Sequence, residues 1–165
     1  MYTDEQKSYI EFTDKIHTKL IACAGSGKTK CIIERIIFLV SKDIYKSEEI
    51  LVLTFSKFTQ QDFIRRLDLI DDDYLIEREN VKTIDSFAKK IIDKTNTCDV
   101  NLLSYRFQKY LQNSSADELK LNKDLVKIAI LFVDEAQDLN EIQFNIIDQL
   151  HKKLGVIINL IGDPN

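Results

Sequence analysis

The chain has 165 residues and a formal net charge of -4, with 44% hydrophobic and 30% charged residues, the size and make-up of one globular domain with a sizeable core. Its longest apolar runs, Ile130 to Val133 and Val156 to Ile161, are far too short to span a bilayer, and Met1 to Lys7 has no signal-peptide character, so an intracellular protein without a membrane role is expected. Cys23, Cys31 and Cys98 form no Cys-x-x-Cys pair and read as free thiols, which argues against a disulfide framework or a zinc site. The negative charge speaks against wholesale attraction to nucleic acid, yet it leaves room for a local basic groove.

In chain order, Lys19 to Cys23 predicts a strand and Lys28 to Val40 a helix, with Ile32, Ile33, Ile36, Ile37 and Val40 at helical spacing. Ile50 to Phe55 predicts a second strand and Thr59 to Leu69 a helix, with Thr59 and Asp62 as a capping signal at its start. Asp71-Asp72-Asp73 reads as a solvated loop, because charges of one sign at that density resist packing. Val81 to Ile84 predicts a short strand, and Phe87, Ile91 and Ile92 supply an inner face for the helix after it. From about residue 95 to 127 a small helical insertion is expected, with a helix around Tyr105 to Leu111 broken at Asn113-Ser114-Ser115. Ile128 to Val133 resumes the sheet, Asn140 to Lys153 is helical, and Val156 to Ile161 is the last strand. Strands alternating with helices predict an α/β fold, with a mostly parallel sheet covered on both faces.

Two segments carry phosphate chemistry. Gly25-Ser26-Gly27-Lys28-Thr29, behind a strand and opening a helix, has the form of a P-loop. Its glycines let backbone N–H groups turn inward around a phosphate, and the helix adds its positive N-terminal end. Lys28 would neutralise the β- and γ-phosphates of ATP, and the Thr29 hydroxyl would ligate Mg²⁺. Asp134 follows four apolar residues, which sets its carboxylate at the carboxyl end of a buried strand, where it would hold Mg²⁺. Glu135 would then polarise the attacking water. Each segment has a plainer reading, a ligand-free turn for the first and a dipole-stabilised acidic cluster for the second.

With Ala24-Gly25-Ser26-Gly27-Lys28-Thr29 and Asp134-Glu135-Ala136-Gln137-Asp138 side by side, the chain resembles the N-terminal RecA-like motor domain of a superfamily 1 DNA helicase of the UvrD/Rep type. The resemblance implies a RecA-like P-loop fold over residues 1–165, with ATP and Mg²⁺ as cofactors. It also implies single-stranded DNA and a second RecA-like domain as partners. It places Ala24, Gly25, Ser26, Gly27, Lys28, Thr29 and Lys30 around the nucleotide, and Glu135, Lys28 and Gln137 at the chemistry. Thr3-Asp4-Glu5-Gln6 resembles the adenine-reading Q motif; Thr3 and Gln6 equally fit a capping box.

Leu53-Thr54-Phe55-Ser56-Lys57 resembles motif Ia, which Asp62 and Arg66 continue, and Val81-Lys82-Thr83-Ile84-Asp85-Ser86-Phe87 resembles motif Ib, with Asp85 where a histidine is common. In that family these segments line the DNA path, which implies Thr54, Phe55, Ser56, Lys57, Asp85, Ser86 and Phe87 as contacts. Phe55 and Phe87 also fit as core aromatics, and Asp85 beside a phosphate would be unfavourable unless it bonds a base, a sugar or the backbone. Ile161-Gly162-Asp163-Pro164-Asn165 resembles the start of motif III, which continues in the family with a glutamine, so a domain cut at that motif is expected. The alternatives are a different P-loop NTPase, and a helicase-like segment kept as a non-catalytic binding module.

Overall fold

The computed structural model describes residues 2–23, 25–70, 76–92 and 102–164. Ala24, the Asp71 to Asp73 run, Cys98 and the first part of the expected insertion lie outside the described residues. Five strands form one sheet: β1 (Thr18–Ile21), β2 (Ile50–Thr54), β3 (Val81–Thr83), β4 (Ile130–Val133) and β5 (Ile157–Gly162). Their order is β1-β5-β4-β2-β3, and every pairing is parallel. This is the α/β sheet expected from the alternation of elements.

The pleat divides the sheet into two apolar faces, because successive side chains on a strand point oppositely. Ile50 and Val52 of β2, with Ile130 and Phe132 of β4, pack under α1 (Asp4–Ile10), α2 (Lys28–Ser41) and α3 (Lys57–Leu67). Leu51 and Leu53, with Leu131 and Val133, pack under α4 (Ile84–Ile92), α5 (Leu103–Asn113), α6 (Ala116–Lys120), α7 (Lys123–Val126) and α8 (Glu141–Leu154). Both central strands are buried on both sides, which is why they read as continuous apolar runs.

Two local findings differ from expectation. Helix α3 starts two residues before Thr59, because the Ser56 Oγ accepts from the Thr59 N–H and caps it; Asp62 instead accepts from Arg65 and Arg66 along the same helix. Helix α5 joins α4 and α8 in covering the sheet: Leu103, Phe107 and Leu111 are buried in the same cluster as Ile146, Ile147 and Leu150. Its last carbonyls are satisfied from α8, where the Lys153 ammonium donates to Leu111 O at 2.5 Å, Gln112 O at 2.9 Å and Ser114 O at 2.7 Å.

A parallel sheet delivers all its strand ends to one edge. The segments after β1, β5 and β4 therefore meet at one end of that edge, and those after β2 and β3 at the other.

Candidate active site

Strand β1 leads into the loop Ala22 to Gly27, where Gly25 (φ 78°) and Gly27 (φ 87°) adopt left-handed backbone that side chains disfavour. Gly27 is the N-cap of α2 and, having no side chain, makes no capping hydrogen bond, so the first amides of this 14-residue helix remain available to a ligand. Lys28 and Thr29 open that helix. Together with Gly25, Gly27, Glu135, Asp62 and Arg66 they line a recess of about 320 Å³.

The acidic wall comes from β4. Asp134 is 1% exposed; its Oδ2 accepts from the Thr29 hydroxyl at 3.3 Å and its Oδ1 from the Glu135 N–H at 3.0 Å. Burial first, then the neighbouring Glu135 charge, push its carboxyl up to about 6. Glu135 itself sits at φ 54°, a left-handed conformation that costs a residue with a side chain on the order of 1–3 kcal/mol and concentrates at functional sites. It turns the chain sharply after β4 and brings Glu135 Oε2 to 3.3 Å from Lys28 Nζ.

Lys28 also donates to Asp163 Oδ1 at 2.6 Å. Burial lowers its proton affinity, but the Asp163 and Glu135 carboxylates outweigh that and hold the ammonium above the usual lysine range. Gln137 completes the frame: its Nε2 donates to Glu135 Oε2 at 2.8 Å, and its Oε1 accepts from the Asp163 N–H at 3.0 Å. Gly162 leaves room for that amide, since a Cβ there would lie 2.5 Å from Gln137 Oε1. Asp163 is a member that the sequence reading quoted only within the motif III resemblance, without a role at the site; its further signal was its place directly after the last strand, beside the other two strand ends.

Gln6 joins the P-loop to α1. Its Oε1 accepts from the Thr3 N–H at 3.0 Å, closing a capping box, while its Nε2 donates to Ser26 O at 2.9 Å. Lys30 lies outside the recess lining, with its ammonium 5.1 Å from the centre of the Tyr2 ring.

The motif Ia and Ib residues divide. Phe55 is 46% exposed just past β2, and Lys57, Asp85 and Ser86 line a second recess beside it. Ser56 is taken up in capping α3. Thr54 is buried, and its one hydroxyl hydrogen lies within reach of both Ser56 O and Lys82 O. Phe87 is 2% exposed and packs edge-to-face on Phe107 at 5.5 Å, so of its two readings, strand contact and core aromatic, the packing favours the core.

A P-loop and an acidic strand end meeting at the carboxyl edge of a parallel sheet are the marks of a nucleotide-binding α/β domain. Residues 2–120 and 92–165 match the family model of the UvrD/REP helicase N-terminal domain. The chain is 40% identical over 99% of its length to a protein of Acanthamoeba polyphaga mimivirus named as an ATP-dependent DNA helicase, covering 24% of that protein. It is 30% identical over 68% of its length to a DNA helicase II homolog of Rickettsia felis, covering 17% of it, and 30% identical over 62% to a DNA helicase II homolog of Mycoplasma genitalium, covering 15%. The chain belongs to the UvrD/REP helicase N-terminal domain family, and it spans a quarter or less of the length of these relatives.

Proposed function

We propose that this domain binds ATP with Mg²⁺ at the P-loop recess and hydrolyses it as one lobe of a two-lobed motor that moves on single-stranded DNA, wherever in the cell that DNA lies. The observation that carries the reading is the convergence of Lys28, Thr29 and Glu135, drawn from α2 and the end of β4, on one recess, with the buried Asp134 carboxylate bonded to Thr29 directly behind it. A hydroxyl beside a buried carboxylate is an oxygen donor set suited to Mg²⁺, which usually takes one or two protein oxygens and fills its shell with water and phosphate. Bound there, the ion would neutralise charge on the phosphate oxygens.

The chain's own residues do the rest. The amides of Gly25 and Gly27 and the Lys28 ammonium hold the β- and γ-phosphates, so Lys28 exchanges its two carboxylates for phosphate oxygens. Released from Lys28, Glu135 is positioned by Gln137 to orient the attacking water and take its proton. Gln6, tied to the P-loop through Ser26 O, would turn its amide edge to adenine once it gives up its local partners. A second RecA-like lobe would close the open side of the recess, and arginines contributed from such a neighbour are worth on the order of 10³ to 10⁵ in rate. Phe55, Lys57 and Ser86 face the strand from the other end of the same sheet edge.

The test is DNA-stimulated ATP turnover by the protein carrying both lobes. Glu135→Gln should lower it by roughly 10² to 10⁴ with nucleotide binding intact. Turnover unchanged in that variant would remove Glu135 from the chemistry.

A further inference from the structure

Beyond β2 and β3 the sheet edge holds the second recess, about 250 Å³ in volume. Phe55, Lys57, Asp85, Ser86, Lys89 and Leu103 line it. Among the described residues neither Lys57 nor Lys89 forms an ion pair, so two cations stand ready at its rim. Phe55 offers an exposed aromatic face. Asp85 stands in the first turn of α4, and its Oδ1 accepts from the Ser104 hydroxyl of α5 at 2.6 Å. That bond fixes the carboxylate from a second helix, while its Oδ2 accepts no hydrogen bond among the described residues. The Ser86 amide in the first turn of α4 is already satisfied by Thr83 Oγ1 at 3.1 Å, so it makes no demand on the Asp85 carboxylate.

We infer that this recess seats one nucleotide of a single strand and that Asp85 selects bases carrying an exocyclic amino group over those presenting a carbonyl in its place. This rests on the single-strand reading above. The chemistry divides by group. The lysines attract phosphates, which a carboxylate repels, so the neighbour of Asp85 is a base and not the backbone. Phe55 stacks on any base and does not discriminate. An ionised carboxylate only accepts: the N4 amino group of cytosine or N6 of adenine donates to it, and the O4 of thymine or uracil opposes it.

Deoxycytidine and deoxyuridine oligomers of equal length share sugar, phosphate and ring size, and they test the selection by fluorescence anisotropy at low salt. The protein should bind oligo-deoxycytidine about threefold to tenfold more tightly. Asp85→Asn keeps an oxygen for Ser104 and adds a donor, so it should bring the two affinities together mainly by improving deoxyuridine binding, with an unchanged melting temperature. Lys89→Ala should weaken both oligomers alike. Equal affinities in the wild type, or a preference that survives Asp85→Asn, would overturn the selection while leaving the single-strand reading standing. Failure of both oligomers to bind the wild type would overturn that reading and the selection with it.

Discussion

Asp134 is held in a state that suits a cation better than the ligand-free fold. Its carboxyl titrates near 6 rather than in the ordinary aspartate range, because burial and Glu135 both oppose the charged form. The folded chain therefore binds more protons at this group than the unfolded chain does, and this contribution to stability falls as pH rises from about 4 to about 6, by on the order of 3 kcal/mol. In chelator-treated protein, Asp134→Asn should flatten that slope and raise the melting temperature at pH 7, with little change at pH 4; thermal unfolding across that range reads it, and an identical slope in the variant would contradict the assignment. At this scale the sequence pointed to Lys28, Thr29, Asp134 and Glu135 as one group, because their chemistry is tied to local spacing around a strand end, and the structure brings them within contact of one another. The hold of Asp163 on Lys28 joins residues 135 positions apart, and no local pattern announces it. Phe55 and Phe87 both sat in motif resemblances. Phe87 also belonged to the helical stripe Ile84, Phe87, Ala88 and Ile91, and that stripe decided its place.

Helices and strands were legible wherever one apolar period dominated: β2, β3, β4, α2 and α8 lie within one or two residues of their expected ends. Less was readable where a cap or a tertiary partner sets the boundary. Ser56 rather than Thr59 starts α3, and α1 follows a capping box whose glutamine also reaches the P-loop. Between residues 102 and 127, short helices with single buried anchors, Leu119 in α6 and Leu125 in α7, present no sustained period and gave only the expectation of a helical insertion. Lys153 shows how such elements are secured, since one ammonium closes three carbonyls at the end of α5. Lys153→Met keeps the aliphatic stem and removes all three bonds, so it should cost about 1–3 kcal/mol. For a domain of this size, each of those units lowers the melting temperature by roughly 2–4 °C. An unchanged melting temperature would mean that water serves those carbonyls equally well.

The whole molecule places two kinds of site on one sheet edge: phosphate chemistry over β1, β5 and β4, and the second recess past β2 and β3. Strand β2 pairs directly with β4, so the segment bearing Phe55 and the segment bearing Asp134 leave neighbouring strands. Under the proposed function, that adjacency would give nucleotide state and strand contact a physical route to each other. Among the described residues no helix is long and apolar enough to cross a membrane. The claim beneath all of this is that the recess around Lys28 is a nucleotide site. Isothermal titration of the chain with Mg²⁺-ATP tests it most directly, run on the wild type and on Lys28→Ala after both are shown to melt alike. The wild type should bind one nucleotide per chain, with affinity falling at least tenfold in the variant as the ammonium at the phosphates is lost. Equal binding by the two proteins, or none by the wild type, would contradict it.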